Sequence, residues 1–327
     1  MKHYKENKAQ LIYDHIINDD GVEFSFCSFG AALIQIKDQD QYLLRSVMNV
    51  DDFIKPGCYY GKTIGRVSNR MRGSVLTVDN NKFYIKPNEG KNVLHGGDDG
   101  FSHQRFISSF VEEDNCASLV YEYISSDGEG GYPGNMSIKV TYRIYNKGIN
   151  FDIDYQVSTD KDCPCAITNH AYFTLGDLDI SNLLLQINSS SYLPVDKEMI
   201  AIKKENVDDV FNFITSRKIV TKIDSEVINK DRLKGYDHYF YFDDVNLNKP
   251  SVILENNKYK MEIFSNYEGV QIYTSNYPVS FTLFPICSSY RDSVAIEPSD
   301  SHLNLNVLHN NEVYKRTIKY RIERKYR

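Results

Sequence analysis

The 327-residue sequence lacks nearly every feature that would assign it to a special class. No apolar run approaches the roughly 18 residues that a membrane-crossing helix needs, so no membrane partner is expected. A basic excess is missing too: 38 Lys and Arg face 44 Asp and Glu, giving a net charge of -6. Such a surface does not clamp a nucleic-acid backbone, and the expected partner is small or weakly charged. The six cysteines are scattered, with only Cys163 and Cys165 close together. One intervening residue is not the spacing of a zinc knuckle and no second pair follows, so the thiols are read as reduced and no metal is expected. Residues 1–8 are polar and lead into no apolar stretch of the kind a secretory signal carries, which predicts a cytoplasmic protein. With no linker rich in Pro, Gly or Ser, no low-complexity tract and no short repeat, residues 1–327 are expected to form a single domain. Helical periodicity is scarce, and only residues 51–54 and 207–211 suit a single turn each.

What is present is strand pattern. Hydrophobic residues make up 41% of the chain and charged ones 25%, enough to bury a sizeable core. Residues 22–29 alternate, and 31–36 resume after Gly30. Residues 75–78 and 83–85 flank Asp79-Asn80-Asn81-Lys82 as a hairpin, because Asn tolerates the positive φ of tight turns. Extended runs at 119–124, 136–145 and 149–157 read as a meander, and others follow at 183–188, 239–242, 251–254, 260–264, 270–274 and 313–324. The 25 tyrosines suit half-buried sheet faces. The expected fold is all-β, one large antiparallel β-sandwich with few short helices.

Four polar segments stand out on that framework: Asn92-Val93-Leu94-His95-Gly96-Gly97, Ile167-Thr168-Asn169-His170-Ala171-Tyr172-Phe173, Gly235-Tyr236-Asp237-His238 and Ala295-Ile296-Glu297-Pro298. They are far apart in sequence and meet only through sheet topology. Histidine exchanges a proton near neutral pH, which makes His170 a candidate for chemistry. Glu297 follows an apolar strand and precedes Pro298, where an unpaired carboxylate would be costly. Each residue also has a plainer reading. Arg66 equally suits pairing with a surface carboxylate, His95 a structural cap on the Gly96-Gly97 turn, and Asp237 an ordinary turn position. His103 and His238 are read as structural or surface residues.

These segments resemble those of the aldose 1-epimerase, or galactose mutarotase, family. The resemblance also rests on Gly65-Arg66-Val67-Ser68-Asn69-Arg70, Leu193-Pro194-Val195-Asp196 and Gln271-Ile272-Tyr273-Thr274-Ser275-Asn276, all in the family's order. It implies a β-sandwich with an open sugar cleft and interconversion of the α and β anomers of a free aldose such as galactose or glucose. Carried over by position, Glu297 is the general base and His170 the general acid. Arg66, His95, Asp237 and Gln271 match sugar-contacting positions, with Asn69 and Phe106 as further candidates for the cleft wall. The implied partner is a small-molecule sugar, with no cofactor and no metal, in a monomer or homodimer. Two departures bear on sugar preference: Ser299-Asp300-Ser301-His302-Leu303-Asn304 replaces the family's usual loop, and residues 277–293 form a shorter segment than in some relatives.

The chemistry explains those residue types. Opening a pyranose removes the proton from the anomeric hydroxyl and protonates the ring oxygen, so a base and an acid act from opposite ends of the acetal. A carboxylate near pKa 4 and an imidazole near 6.5 fill those roles, with Asp237 expected to hold His170 protonated nearer pH 7. Hydroxyl recognition falls to Arg66 as donor, Asp237 as acceptor and Gln271 as both. Phe106, Tyr172 and Phe173 are possible stacking surfaces, with core burial the equal reading. Two other readings remain open: a noncatalytic sugar-binding or sensing protein, and an epimerase of a hexose phosphate or disaccharide.

Overall fold

The alternation in residues 136–145 becomes the strand Met136–Tyr145, with Met136, Ile138, Val140, Tyr142 and Ile144 buried and Ser137 and Lys139 exposed. The same rule, apolar side chains on one face and polar ones on the other, organises a computed structural model that describes residues 1–78, 80–229, 233–303 and 305–325. Asp79 of the hairpin turn and Asn304 of the 299–304 loop lie outside the described residues. Every named strand pair is antiparallel.

Three sheets carry the fold, with nine, eight and five strands. In the nine-stranded sheet, Ile107–Glu112, Cys116–Ser125, Met136–Tyr145 and Ile149–Thr159 form the expected meander. The late strand Val313–Arg324 then inserts between Ile149–Thr159 and Tyr259–Ser265. The eight-stranded sheet includes Asp237–Tyr241, Gly269–Tyr273, Val294–Ser299, Tyr172–Phe173 and Leu44–Val47 in that spatial order. The five-stranded sheet is built from residues 2–42. Aromatic contacts join the layers: Phe173 meets Tyr320 at 5.6 Å, Phe26 meets Tyr142 at 4.8 Å, and Phe24 meets Phe151 at 5.8 Å between ring centroids. The outer face of the nine-stranded sheet is mostly polar, with Ile107, Val111 and Ile124 exposed on its first two strands, so the arrangement is a sandwich.

Only two α-helices occur among the described residues, each of four residues. One is Val50–Phe53, where Asn49 Oδ1 accepts from the Asp51 amide at 2.8 Å. The turn expected at 207–211 is not a helix. Asp208 Oδ1 accepts from the amides of Val210 and Phe211 at 2.8 and 3.1 Å, a local side-chain bond that competes with the helical backbone pattern. Asn80 takes the positive φ, +66°, expected of the hairpin turn between Val75–Val78 and Asn81–Tyr84.

Behind the eight-stranded sheet's edge, Arg45 and Asp292 form a fully buried ion pair at 3.1 Å. Arg45 also donates to the carbonyls of Pro285 and Leu178 at 2.7 and 2.9 Å. Removing one partner of a buried pair strands the other charge. Asp292→Ala is expected to lower unfolding stability by about 3–5 kcal/mol in urea titrations; a loss near zero would show that Arg45 is satisfied by carbonyls alone.

Candidate active site

Side-chain parity places three polar residues on one face of three neighbouring strands. Glu297 pairs across the ladder with Gln271, and Asp237 with Tyr273, so Glu297, Gln271, Asp237 and Tyr273 share the outward face of the eight-stranded sheet. Ile272, Ile296 and His238 point the other way, into the core. Two loops fold over that face. One carries His170, whose amide donates to the Lys62 carbonyl and whose carbonyl accepts from Gly61, both at 2.9 Å. Thr168 Oγ1 donates to the Pro298 carbonyl at 2.7 Å, tying the His170 segment to the strand that carries Glu297.

The other loop carries His95, with φ +53°, and meets Asn69, with φ +63°. The His95 amide donates to the Asn69 carbonyl at 3.0 Å, and the Asn69 amide donates to His95 Nδ1 at 3.2 Å. Two residues in the left-handed region thus hold each other, a form of strain typical of functional sites. Gly96, φ +84°, follows because a Cβ there would lie 2.1 Å from the Gly65 carbonyl oxygen. Likewise, a Cβ on Gly235 would lie 2.0 Å from Asn276 Oδ1. Both glycines serve close backbone approach.

The side chains form one chain of bonds. Asn69 Nδ2 donates to Gln271 Oε1 at 2.9 Å, and Gln271 Nε2 donates to Asp237 Oδ1 at 2.6 Å. Asp237 Oδ2 lies 3.6 Å from Arg70 Nη1. Arg70 in turn donates from Nε and Nη2 to the two carboxylate oxygens of Glu89 at 2.7 and 2.9 Å. At the floor, His170 Nε2 lies 3.3 Å from Glu297 Oε1. Tyr172 stacks on the His170 ring at 4.8 Å, while Tyr59 and His95 approach it at 5.9 and 5.2 Å. The cleft encloses about 250 Å³, below the ~300–1,000 Å³ of pockets for larger ligands and suited to one sugar ring.

Burial sets the charges. It pushes His170 down to about 3 and Glu297 well above the carboxylate range, with the Asp237 charge raising Glu297 further and Arg70 opposing. This reverses the expectation that Asp237 would hold His170 protonated: Asp237 is engaged by Arg70 and Gln271, and its field falls on Glu297. Asp237 itself is raised by burial, against the pull of Arg70. His95 is lowered by burial and by the neighbouring His170, so its ring is neutral. Because the Asn69 amide occupies Nδ1, the proton sits on Nε2. His95, His170 and Glu297 offer ligand atoms within 4.8 Å of one another. With its lone pair used and its other nitrogen protonated, His95 enters this group as a donor, which does not fit a cation ligand.

The structure brings Glu297, His170, His95, Asp237, Gln271 and Asn69 together around the cleft. Arg66 is not among them, a correction to the sequence-based expectation. It is buried elsewhere, donating to Ser125 Oγ, to the Ser125 and Ser126 carbonyls and to the Pro133 carbonyl, the last at 2.8 Å. Arg70 takes the cleft position. Phe106 and Phe173 are core residues, whereas Tyr172 lines the cleft. Missed from sequence were Glu89, Tyr59, Tyr60, Tyr273 and Tyr277, while Arg70 enters the sequence reading only as a basic residue for a phosphate-bearing sugar. Arg70 stands beside Asn69 in a string already singled out, but nothing in that string tells which arginine is satisfied by backbone carbonyls. In the described part of the 299–304 loop, Asp300 accepts from Tyr314 Oη and Arg316 Nη2 at 2.7 and 2.6 Å, and the His302 ring meets Tyr239, the ladder partner of Gln271, at 5.4 Å. From the 277–293 segment, Tyr277 and Val279 reach the cleft wall.

Comparison with solved structures establishes the fold first. The fold matches galactose 1-epimerase from Lactobacillus acidophilus with a TM-score of 0.87 at 24% identity, covering 99% of both chains. It matches an aldose epimerase homologue from C. elegans at 0.83 and 22%, covering 95% of this chain and 98% of that one. The aldose 1-epimerase family model matches residues 15–321, and the chain belongs to that family of isomerases. Its relatives include aldose 1-epimerases of Haemophilus influenzae and Escherichia coli, 31% and 30% identical, each over 80% of this chain and 77% of the relative. Galactose mutarotase of Rattus norvegicus is 26% identical over the same shares.

His238 is lowered to about 3 by burial alone, from an ordinary value of 6.5. The unfolded chain therefore takes up this proton near pH 6.5, while the folded chain refuses it until about pH 3. The stabilisation is full above pH 6.5 and is lost as pH falls through the interval towards 3. His238→Asn keeps an acceptor for the Asp237 amide, which donates to His238 Nδ1 at 3.1 Å, and removes the proton site. It should flatten the slope of stability against pH between 6.5 and 4 in denaturant titrations; an unchanged slope would count against this assignment.

Proposed function

We propose that this protein is an aldose 1-epimerase that interconverts the α and β anomers of free aldohexoses such as galactose and glucose. The observation that carries this is the buried pair of His170 Nε2 and Glu297 Oε1, 3.3 Å apart at the floor of a cleft the size of one sugar ring. As carboxylate, Glu297 takes the proton of the anomeric hydroxyl; as imidazolium, His170 gives its Nε2 proton to the ring oxygen, and the bond from C1 to that oxygen breaks. The aldehyde rotates about the C1 to C2 bond, and closure on its other face runs both transfers backwards. Throughout, the pair keeps one proton between its two members. Carboxylate with imidazolium and carboxylic acid with imidazole are tautomers, and burial favours the second by raising Glu297 and lowering His170, so the two proton transfers run from the first towards the favoured second. Ring opening passes between the two without exchanging a proton with solvent.

Arg70 Nη1 and the Asp237 carboxylate serve the sugar hydroxyls, and His95 adds its Nε2 proton. Gln271 and Asn69 fix Asp237 and His95 in place. A noncatalytic binder has no use for an opposed acid and base, which favours turnover over sensing. All of these groups come from one chain, read as a single domain over 1–327, so a monomer suffices. The six unpaired cysteines fit the cytoplasmic setting we assign.

Polarimetry on freshly dissolved α-D-galactose and α-D-glucose tests the reading, and no acceleration over buffer with either sugar would overturn it. Glu297→Gln should lower kcat by about 10²–10⁴-fold, the usual worth of a general base, while sugar binding survives in NMR titrations. The two arginines should separate: Arg70→Met raises KM, whereas Arg66→Met lowers the melting temperature and leaves KM unchanged. A raised KM in a folded Arg66 variant would contradict its placement outside the cleft.

A further inference from the structure

We propose that Glu89 determines specificity in this cleft, restricting it to uncharged aldoses by occupying the guanidinium of Arg70. The inference rests on the mutarotase reading and adds a residue that acts on the sugar only through Arg70. Arg70 is the only lysine or arginine among the described residues lining the cleft, which also holds Glu89, Asp237 and Glu297. A lone arginine in a sugar site would ordinarily welcome a phosphate or carboxylate through a bidentate pair. Here its side-on face, Nε with Nη2, is already taken by both oxygens of Glu89.

The clamp is built rather than incidental. The Glu89 amide donates to the Asn92 carbonyl at 3.1 Å and the Asn92 amide returns to the Glu89 carbonyl at 2.9 Å, closing a turn through Gly90 at φ +61°. Asn88 brackets the Leu94 backbone, donating to its carbonyl at 3.0 Å and accepting from its amide at 2.8 Å. Leu94 is the ladder partner of Arg70. The carboxylate of Glu89 is thereby delivered to the arginine by the same loop that carries His95. Burial works against the charge of Arg70, but Asp237 and Glu89 hold it cationic.

An anionic substituent on the sugar, a 6-phosphate or a 6-carboxylate, meets an arginine whose bidentate edge is occupied. Taking that edge would displace Glu89 and leave two anions facing each other. Discrimination thus comes from a repulsive element set beside the attractive one. A neutral hydroxyl needs only one donor hydrogen of Nη1, which faces Asp237 at 3.6 Å, and pays no such penalty.

Glu89→Gln removes the charge and keeps the shape. The probes are α-D-glucose, α-D-galactose, glucose 6-phosphate and galacturonate, followed by anomer-specific coupled assays and by NMR titration. The titration reads binding whether or not the sugar turns over, so failure of the mutarotase reading would show separately, as wild-type protein that binds sugar without accelerating mutarotation. In Glu89→Gln, affinity and kcat/KM for glucose 6-phosphate should rise at least about tenfold relative to glucose, a modest shift for a like-charge contact. The gain should fade with added salt. For neutral sugars KM should rise with kcat largely kept. Glu89→Asp, which retains the charge, should keep the wild-type preference, and Glu89→Ala repeats the charge removal should the amide variant fold poorly. The proposal is overturned if wild-type protein binds glucose 6-phosphate as well as glucose, or if the charge-removing variants keep the wild-type ratio.

Discussion

An imidazole and a carboxylate buried against each other at 3.3 Å are the demand around which the rest of the molecule is arranged. Taking such groups out of water is costly, and their attraction repays it only when the surroundings hold them in register. Glu297 is held by a ladder, with Gln271 opposite it on the neighbouring strand. His170 is held by backbone bonds to Gly61 and Lys62 and by flanking aromatic rings. Thr168 then ties the two segments directly. A sandwich supplies all three restraints because its sheets are rigid while the loops above them are free to carry polar groups.

The remaining cleft charges are arranged so that none stands alone. Asp237 sits between Gln271 and Arg70, and Arg70 sits between Asp237 and Glu89. Each carboxylate is turned by a neighbour before any sugar arrives, a form of preorganisation that spares the bound state the work of ordering side chains. The mutual hold of Asn69 and His95, both left-handed, extends the same device to the backbone. It also settles which nitrogen of His95 carries its proton.

Much of the fold was readable from sequence because strand alternation is a short-range signal. The strands Met136–Tyr145 and Val313–Arg324 have the bounds the pattern predicts, and the hairpin at Asn80 follows from one residue's tolerance of positive φ. The segment 207–211 forms its single turn at 209–211 but no helix, because Asp208 bonds its own following amides, which apolar spacing does not reveal. That His170, Glu297 and most of the polar residues named with them meet at one cleft was readable through motifs more than through physics. Arg66 and Arg70 mark where that stopped: four residues apart in one string, they have opposite fates. The difference is that Ser125, Ser126 and Pro133, far away in sequence, turn their oxygens towards only one of them. The expected help of Asp237 to His170 failed for a related reason, since burial is a property of the assembled cleft and outweighs the ordinary values of both partners.

The late strand Val313–Arg324 lies in the middle of the nine-stranded sheet, bonded on one side to Ile149–Thr159 and on the other to Tyr259–Ser265. During synthesis, therefore, the meander of residues 107–159 emerges with an unpaired edge that its native neighbour cannot cover until residues 160–312 have followed it. Glu297 is likewise made long after His95 and His170. The nascent chain must carry an open sheet edge while residues 160–312 are made, and Glu297 and the strand that covers the edge then arrive within about 20 residues of each other. The sheet and the cleft are therefore both closed by strands made late, and the pairing that completes them is long-range rather than local.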